Sequence, residues 1–187
     1  MKYFRLREHV EFPGGSWHLG KLYAQGGERL DSRIFNAGKS VKLEYPLPLS
    51  LQIKRPGPSL DYDCDSFGMP VVTHALGEAL IKIVPDEIQL FPVEIIGAKG
   101  SYDILNITQT VDCLDETRTR GYHWTPEIGG RVRKYYMLAD EHVDPERTNG
   151  HKLFRLKNWE VVVICSQEVK DVFDALHIKG ALFDPAV

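Results

Sequence analysis

Apolar and polar positions change rhythm along the chain. In the first sixty residues, short apolar-rich stretches at 2–6, 17–23, 41–45 and 49–53 are separated by Pro13-Gly14-Gly15, Gly26-Gly27, Asn36-Ala37-Gly38 and Pro56-Gly57-Pro58. That punctuation, with no helical period, predicts short strands and loops. Pro46 and Pro48 place the segments after Tyr45 at an edge or in extended chain, because proline donates nothing to a central ladder.

From Pro70 the period lengthens. Behind Thr73, a good N-cap type, Ala75, Leu76, Ala79, Leu80, Ile83 and Val84 fall on one helical face, and Pro85 stops it, so a helix is predicted over about 73–84. Residues 88–96 and 102–107 read as a hairpin turning through Gly97 and Gly100. Residues 131–139 read as a further strand, Asn149-Gly150 as a turn, and 153–156 with 159–164 as a second hairpin across Lys157-Asn158. Ser166 then caps a second helix over about 166–177, with Val169, Val172, Phe173 and Leu176 as its stripe and Gly180 beyond its end.

The two helical segments overlay without a gap at an offset of 93 residues, Thr73 on Ser166, Leu76 on Val169, Leu80 on Phe173 and Pro92 on Pro185. The shared unit is strand, hydroxyl cap, helix, strand. Two copies are too few for a solenoid, so the overlay implies at most pseudo-symmetry inside one domain. The predicted class is α+β: a mainly antiparallel sheet with two amphipathic helices packed on it, in a single domain spanning 1–187. Residues 1–60 should add strands to the same core.

Composition narrows the class without changing it. With 43% hydrophobic and 26% charged residues in a chain of 187, neither a disordered nor a fibrous protein fits. No apolar run reaches the ~20 residues of a membrane span. The charged start from Lys2 to Glu8 lacks a signal-peptide core, so the expectation is a cytoplasmic protein with no membrane partner. Cys64, Cys113 and Cys165, odd in number and widely spaced, read as reduced thiols. The net charge of −3 conceals segments of +5 over 1–60, −9 over 61–116 and +1 over 117–187.

The acidic third holds the candidate chemistry. Asp61, Asp63 and Asp65 alternate as in a calcium loop, but an EF-hand needs Gly and Glu where Ser66 and Val72 stand. Cys113 lies between Asp112 and Asp115-Glu116, where negative charge disfavours a thiolate, and His123, His142 and His151 are distant in sequence. No phosphate-binding glycine loop, zinc-protease motif or nucleophile elbow occurs. His74 and His177 sit near helix ends, where capping is commoner than metal ligation. Arg118, Arg120 and the run 131–134, with Tyr122, Trp124, Tyr135 and Tyr136, form basic aromatic spots; beside so much acid they favour intramolecular pairing or protein contact over nucleic acid.

Taken in order, Asp65, Pro70-Val71-Val72-Thr73, Leu90-Phe91-Pro92-Val93, Tyr102-Asp103-Ile104-Leu105-Asn106, Val111-Asp112-Cys113-Leu114-Asp115, Leu153-Phe154-Arg155-Leu156, Val162-Val163-Ile164-Cys165-Ser166 and Gly180 resemble the eleventh immunity-protein family of bacterial polymorphic toxin systems, formerly a domain of unknown function. The resemblance runs from about residue 60 to the end, with an echo in Trp17 and residues 47–58. Cys113 departs from the small residue expected there, and no role is carried over for it. The resemblance implies a non-enzymatic protein, without cofactor or metal, that binds and neutralises a toxin domain encoded next door.

Charge complementarity to a basic toxin then makes Asp61, Asp63, Asp65, Asp112, Asp115 and Glu116 the candidate partner-binding residues. The alternatives are a thiol hydrolase using Cys113, a metal-dependent hydrolase using Asp61, Asp63 and Asp65, or an interaction module unrelated to toxins.

Overall fold

Strand alternation and helical stripes sort the chain into two sheets that share one central core. A computed structural model describes residues 1–123 and 135–186. The elements are β1 (Tyr3–Glu8), β2 (His18–Tyr23), β3 (Arg29–Leu30), β4 (Leu49–Arg55), β5 (Tyr62–Cys64), β6 (Pro70–Thr73), α1 (His74–Ile83), β7 (Ile88–Ile95), β8 (Tyr102–Ile107) and β9 (Thr110–Val111). After them come β10 (Arg120–His123), β11 (Tyr135–Ala139), β12 (Leu153–Leu156), β13 (Trp159–Ser166), α2 (Gln167–Ala175) and β14 (Ala181–Pro185).

The expected single sheet is divided. A seven-stranded sheet runs β3-β2-β4-β7-β8-β6-β5, a five-stranded sheet runs β14-β1-β13-β12-β9, and β10-β11 forms a separate pair. Pairing is antiparallel except for β4 with β7 and β12 with β9. The class is therefore α+β, mainly antiparallel with two mixed sheets. The N-terminal strands divide between the sheets, β1 joining one and β2 to β4 the other.

Alternation explains the division. Val72 and Leu105 face a cluster that also takes Leu76 and Leu80 of α1, Val169 and Phe173 of α2, and Leu6, Leu153, Val163 and Cys165 of the five-stranded sheet. Their neighbours Val71 and Ile104 point the other way, onto Trp17, Leu22, Phe35 and Leu51. Tyr3, Phe154, Val162 and Ile164 line a third cluster on the far side of the five-stranded sheet. Each large side chain so buried stabilises the fold by about 2 kcal/mol.

The overlay at 93 residues has a structural counterpart. β6-α1-β7 and β13-α2-β14 are both strand–helix–strand units, and in each the two strands flank a third that is antiparallel to both: β8 in the first, β1 in the second. Thr73 pairs with Tyr102 and Ser166 with Tyr3; Pro92 pairs with Asp103 and Pro185 with Phe4. The pseudo-symmetry thus extends to register.

Three expectations need correction. Residues 41–45 form no strand: Val41, Leu43 and Tyr45 pack against the second core, but the Val41 N–H donates to the Gln89 side chain at 2.8 Å. The alternation there records burial of extended chain without a ladder. β4 is interior to its sheet, between β2 and β7, because Pro46, Pro48 and Pro56 flank the strand and leave its donors intact. Thr73 is the N-cap of α1 but makes no side-chain cap bond; the first N–H of the helix, that of His74, donates to the Ser101 carbonyl at 2.9 Å. Ser166 does cap α2, accepting from Val169 N–H at 3.4 Å. Of the predicted strand over 131–139, β11 covers Tyr135–Ala139 and the remainder lies outside the described residues.

One buried charge spans the two sheets. Arg155 on β12 is 1% exposed and donates to Glu160 O at 2.7 Å, to Asn36 Oδ1 at 2.9 Å and to Phe35 O at 3.4 Å. Phe35 and Asn36 belong to the short 3-10 turn Ser32–Asn36 beside the seven-stranded sheet. A guanidinium suits this place because its planar fork reaches several acceptors at fixed angles. Replacing it leaves buried acceptors without donors. Arg155→Met is therefore expected to cost about 3 kcal/mol or more in urea denaturation; a loss below about 1 kcal/mol would contradict this role.

Candidate functional site

Between β5 and β6 the chain turns through Asp65-Ser66-Phe67-Gly68, and Asp65 organises the turn. Its carboxylate accepts from the Phe67 and Met69 N–H groups, both at 2.9 Å, and from the Ser32 hydroxyl. Gly68 supplies the left-handed residue, φ 78°, that closes the turn. Asn36 Nδ2 donates to Phe67 O at 2.8 Å, so the Arg155 network continues into this loop. The backbone is held while the Phe67 ring stays 50% exposed, with the Arg33 guanidinium 5.6 Å above its centroid.

The other two carboxylates of this cluster also turn inward. Asp61 is half-buried and accepts from Lys179 N–H at 3.0 Å. That contact ties β5 to the segment before β14, where Gly180 sits at φ 100° so close to Tyr62 that a Cβ would lie 2.1 Å from its carbonyl. Asp63 is buried; its Oδ1 accepts from Cys64 N–H at 2.8 Å, and its Oδ2 has no hydrogen-bond partner. Burial pushes the Asp63 carboxyl up to about 6, opposed in part by the Cys64 N–H and by the nearby Trp17 indole. A cavity of about 190 Å³ lies alongside, lined by Glu8, Trp17, His18, Asp63, Asp65 and Ser66. Among the described residues no three His, Cys, Asp or Glu side chains converge to hold a metal.

The second acidic cluster lies on the loop after β9. Asp112 is exposed and pairs with Arg147 at 3.2 Å and Lys157 at 3.5 Å. Asp115 accepts from the Thr117 hydroxyl and N–H at 2.6 and 2.9 Å and from Arg118 N–H at 3.3 Å; the Thr117 hydroxyl is the main cause of its lowered carboxyl pKa. Glu116 is exposed. The two clusters are not brought together. Asp61 meets the β14 edge of the five-stranded sheet and Asp112 follows β9 at the opposite edge, four strand spacings or roughly 19 Å across.

Cys113 is fully buried in the third core, and its thiol is pushed up to about 12, chiefly by burial, which opposes the thiolate a nucleophile requires. Two further acids of the middle third serve the interior. Asp103 is buried against His74 Nδ1 at 2.7 Å and raises that imidazole's pKa. Glu87 accepts from the N–H groups of Lys152 and Leu153, the latter at 2.7 Å, and so anchors the start of β12. Arg120 pairs with Asp140, whereas Trp124 and residues 131–134 lie outside the described residues.

Sequence reasoning missed the outer face of β2 to β4. There Lys21, Arg29, Gln52, Lys54, Ser66 and Phe67 line a groove of about 410 Å³. The only advance signal was the +5 charge of the first sixty residues.

The Asp63 position yields a pH test. A carboxyl whose folded pKa is raised is stable when protonated and costs folding energy once ionised, so its penalty grows as pH rises through about 6. Asp63→Asn should gain on the natural protein by about 1 kcal/mol between pH 5 and pH 8 in urea denaturation. An equal stability difference at both pH values would contradict the buried, raised carboxyl.

No helix among the described residues is long and apolar enough to cross a membrane. No curated protein matches the chain. A family model does: the immunity protein family Imm11 matches residues 16–187, taking in β2 to β4 as well as the part that carries the resemblance in sequence. The seven-stranded sheet, both helices, the Asp65 turn and every strand of the five-stranded sheet except β1 thus lie within the matched span, and the chain belongs to the immunity protein family Imm11.

Proposed function

We propose that this protein neutralises a bacterial toxin domain by binding it, without catalysis, cofactor or metal, in the cytoplasm of the cell that makes both. The observation that carries the reading is family membership over nearly the whole chain. The burial of Cys113 and the inward engagement of Asp61 and Asp65 weigh against the hydrolase alternatives. A binding protein of this kind needs a rigid scaffold and a complementary surface.

Of the six candidate carboxylates, Asp112, Asp115 and Glu116, on the loop after β9, belong to the partner face in this reading; Asp112 and Glu116 are exposed and Asp115 is half-buried. Asp65 acts indirectly, by holding the backbone that carries Phe67, while Asp61 and Asp63 hold the chain around β5. The toxin is a basic protein encoded beside this chain, and the acidic loop accelerates encounter with it. Nucleic acid is not the partner in this reading.

Co-expression with the adjacent gene tests the function: growth should be rescued by this chain and not by an unrelated protein. Charge reversal of the loop, Asp112→Lys with Asp115→Lys and Glu116→Lys, should weaken toxin binding by about tenfold or more and flatten its salt dependence. Because Asp115 also holds its own turn, Glu116→Lys alone should move affinity in the same direction, with thermal unfolding measured beside it. Unaltered affinity in both variants would remove this loop from the interface.

A further inference from the structure

The charge sign of the chain's surface departs from the charge sign of its sequence. The middle third, −9 in sequence, places Asp63, Asp65 and Asp103 in the interior. The N-terminal third, +5 in sequence, puts Lys21, Arg29 and Lys54 on the outside of β2, β3 and β4, exposed and without an ion pair among the described residues.

Local structure gathers these cations. Leu19 pairs with Ile53 and Leu22 with Leu51, so Gly20 and Lys21 together oppose Gln52: the strand carries a bulge. A bulge re-aims the side chains around it. Gly20 leaves the floor of the groove open, since a Cβ there would lie 3.2 Å from Gln52 O and 3.3 Å from the Lys54 Cβ. Phe67 forms one wall. Its loop is held by Asp65 and Asn36, so the exposed ring is presented on ordered backbone and loses little freedom when covered. The opposite face of β2 and β4 buries Leu19, Leu22, Leu49 and Leu51, which makes the groove a surface of a rigid sheet.

We infer that this groove docks an acidic segment of the partner protein, its carboxylates meeting Lys21, Arg29 and Lys54 and an apolar side chain packing on Phe67. The inference rests on the binding function proposed above and adds a second contact surface to it. The chemistry favours protein over nucleic acid. The groove sets one exposed aromatic ring, Phe67, beside three cations, and the adjoining hollow, which shares Gln52, carries Glu94. A phosphate backbone requires a continuous positive track, and the chain as a whole is −3.

The test titrates the full chain with a short fluorescein-labelled peptide in which glutamates flank one leucine. The natural protein should bind it, with affinity falling as salt rises. The combined change Lys21→Glu, Arg29→Glu and Lys54→Glu should weaken binding by about tenfold or more, and Phe67→Ala by about fivefold. All four side chains are exposed, so thermal unfolding should be unmoved. Absence of peptide binding, binding unchanged by the triple reversal, or tighter binding of a single-stranded oligonucleotide of equal charge would each overturn the inference. A parallel arm uses the product of the adjacent gene. If the natural chain fails to rescue growth, the proposed function fails and the peptide titration alone decides the groove. If the natural chain rescues and the triple variant rescues with equal affinity, the groove inference fails and the function stands.

Discussion

The buried guanidinium of Arg155 is the constraint on which the rest of the arrangement depends. An arginine taken out of water is tolerated only where its donors meet fixed acceptors. Here those acceptors come from both halves of the molecule: Glu160 on the same hairpin, and Phe35 and Asn36 from the turn beside the seven-stranded sheet. Asn36 is itself committed to Phe67 O. A polar chain therefore runs from the five-stranded sheet, through the interior, to a loop that ends at an exposed aromatic ring. Hydrophobic burial around Leu76, Leu80, Val169 and Phe173 drives the layers together; the directional bonds fix how they meet.

The same economy governs the acidic third. A carboxylate near the interior must accept hydrogen bonds or give up its charge. Asp65 takes the first course, with two backbone donors and a hydroxyl; Asp63, with one donor and an unpartnered oxygen, is pushed toward its neutral form. Much of the sequence's negative charge is thus committed to structure. The two surfaces proposed for a partner are the loop carrying Asp112, Asp115 and Glu116 on one edge and the cationic groove of β2 to β4 on the other sheet. Two contact surfaces of opposite sign would give an immunity protein selectivity against wrong partners as well as affinity for the right one.

Local signals were legible and long-range ones were not. Both helices, their hydroxyl N-cap residues and the hairpins at Gly97 and Asn158 follow from periodicity and turn chemistry, which act over a few residues. The 93-residue overlay pointed correctly to a repeated strand–helix–strand unit. It could not show that β1, from the far end of the chain, would fill the second unit as β8 fills the first, because that pairing is set by burial between distant segments. Residues 41–45 misled because alternation reports which side chains are buried, not where the backbone hydrogen bonds go. The inward engagement of two candidate carboxylates was hidden for a related reason: a sequence shows that Asp63 and Asp65 are charged but not that nearby backbone N–H groups bond to them. Phe67, Lys21 and Lys54 carried no motif at all, and only the sheet brings them together.

Amide hydrogen exchange at Phe67 and Met69 probes the central claim most directly, since both N–H groups donate to buried Asp65 in a loop that would otherwise be free. Slow exchange at both, with an opening free energy approaching that of the strand amides of β8, is the predicted result. Exchange at the rate of an unprotected surface loop would show that the interior network does not hold this aromatic in place.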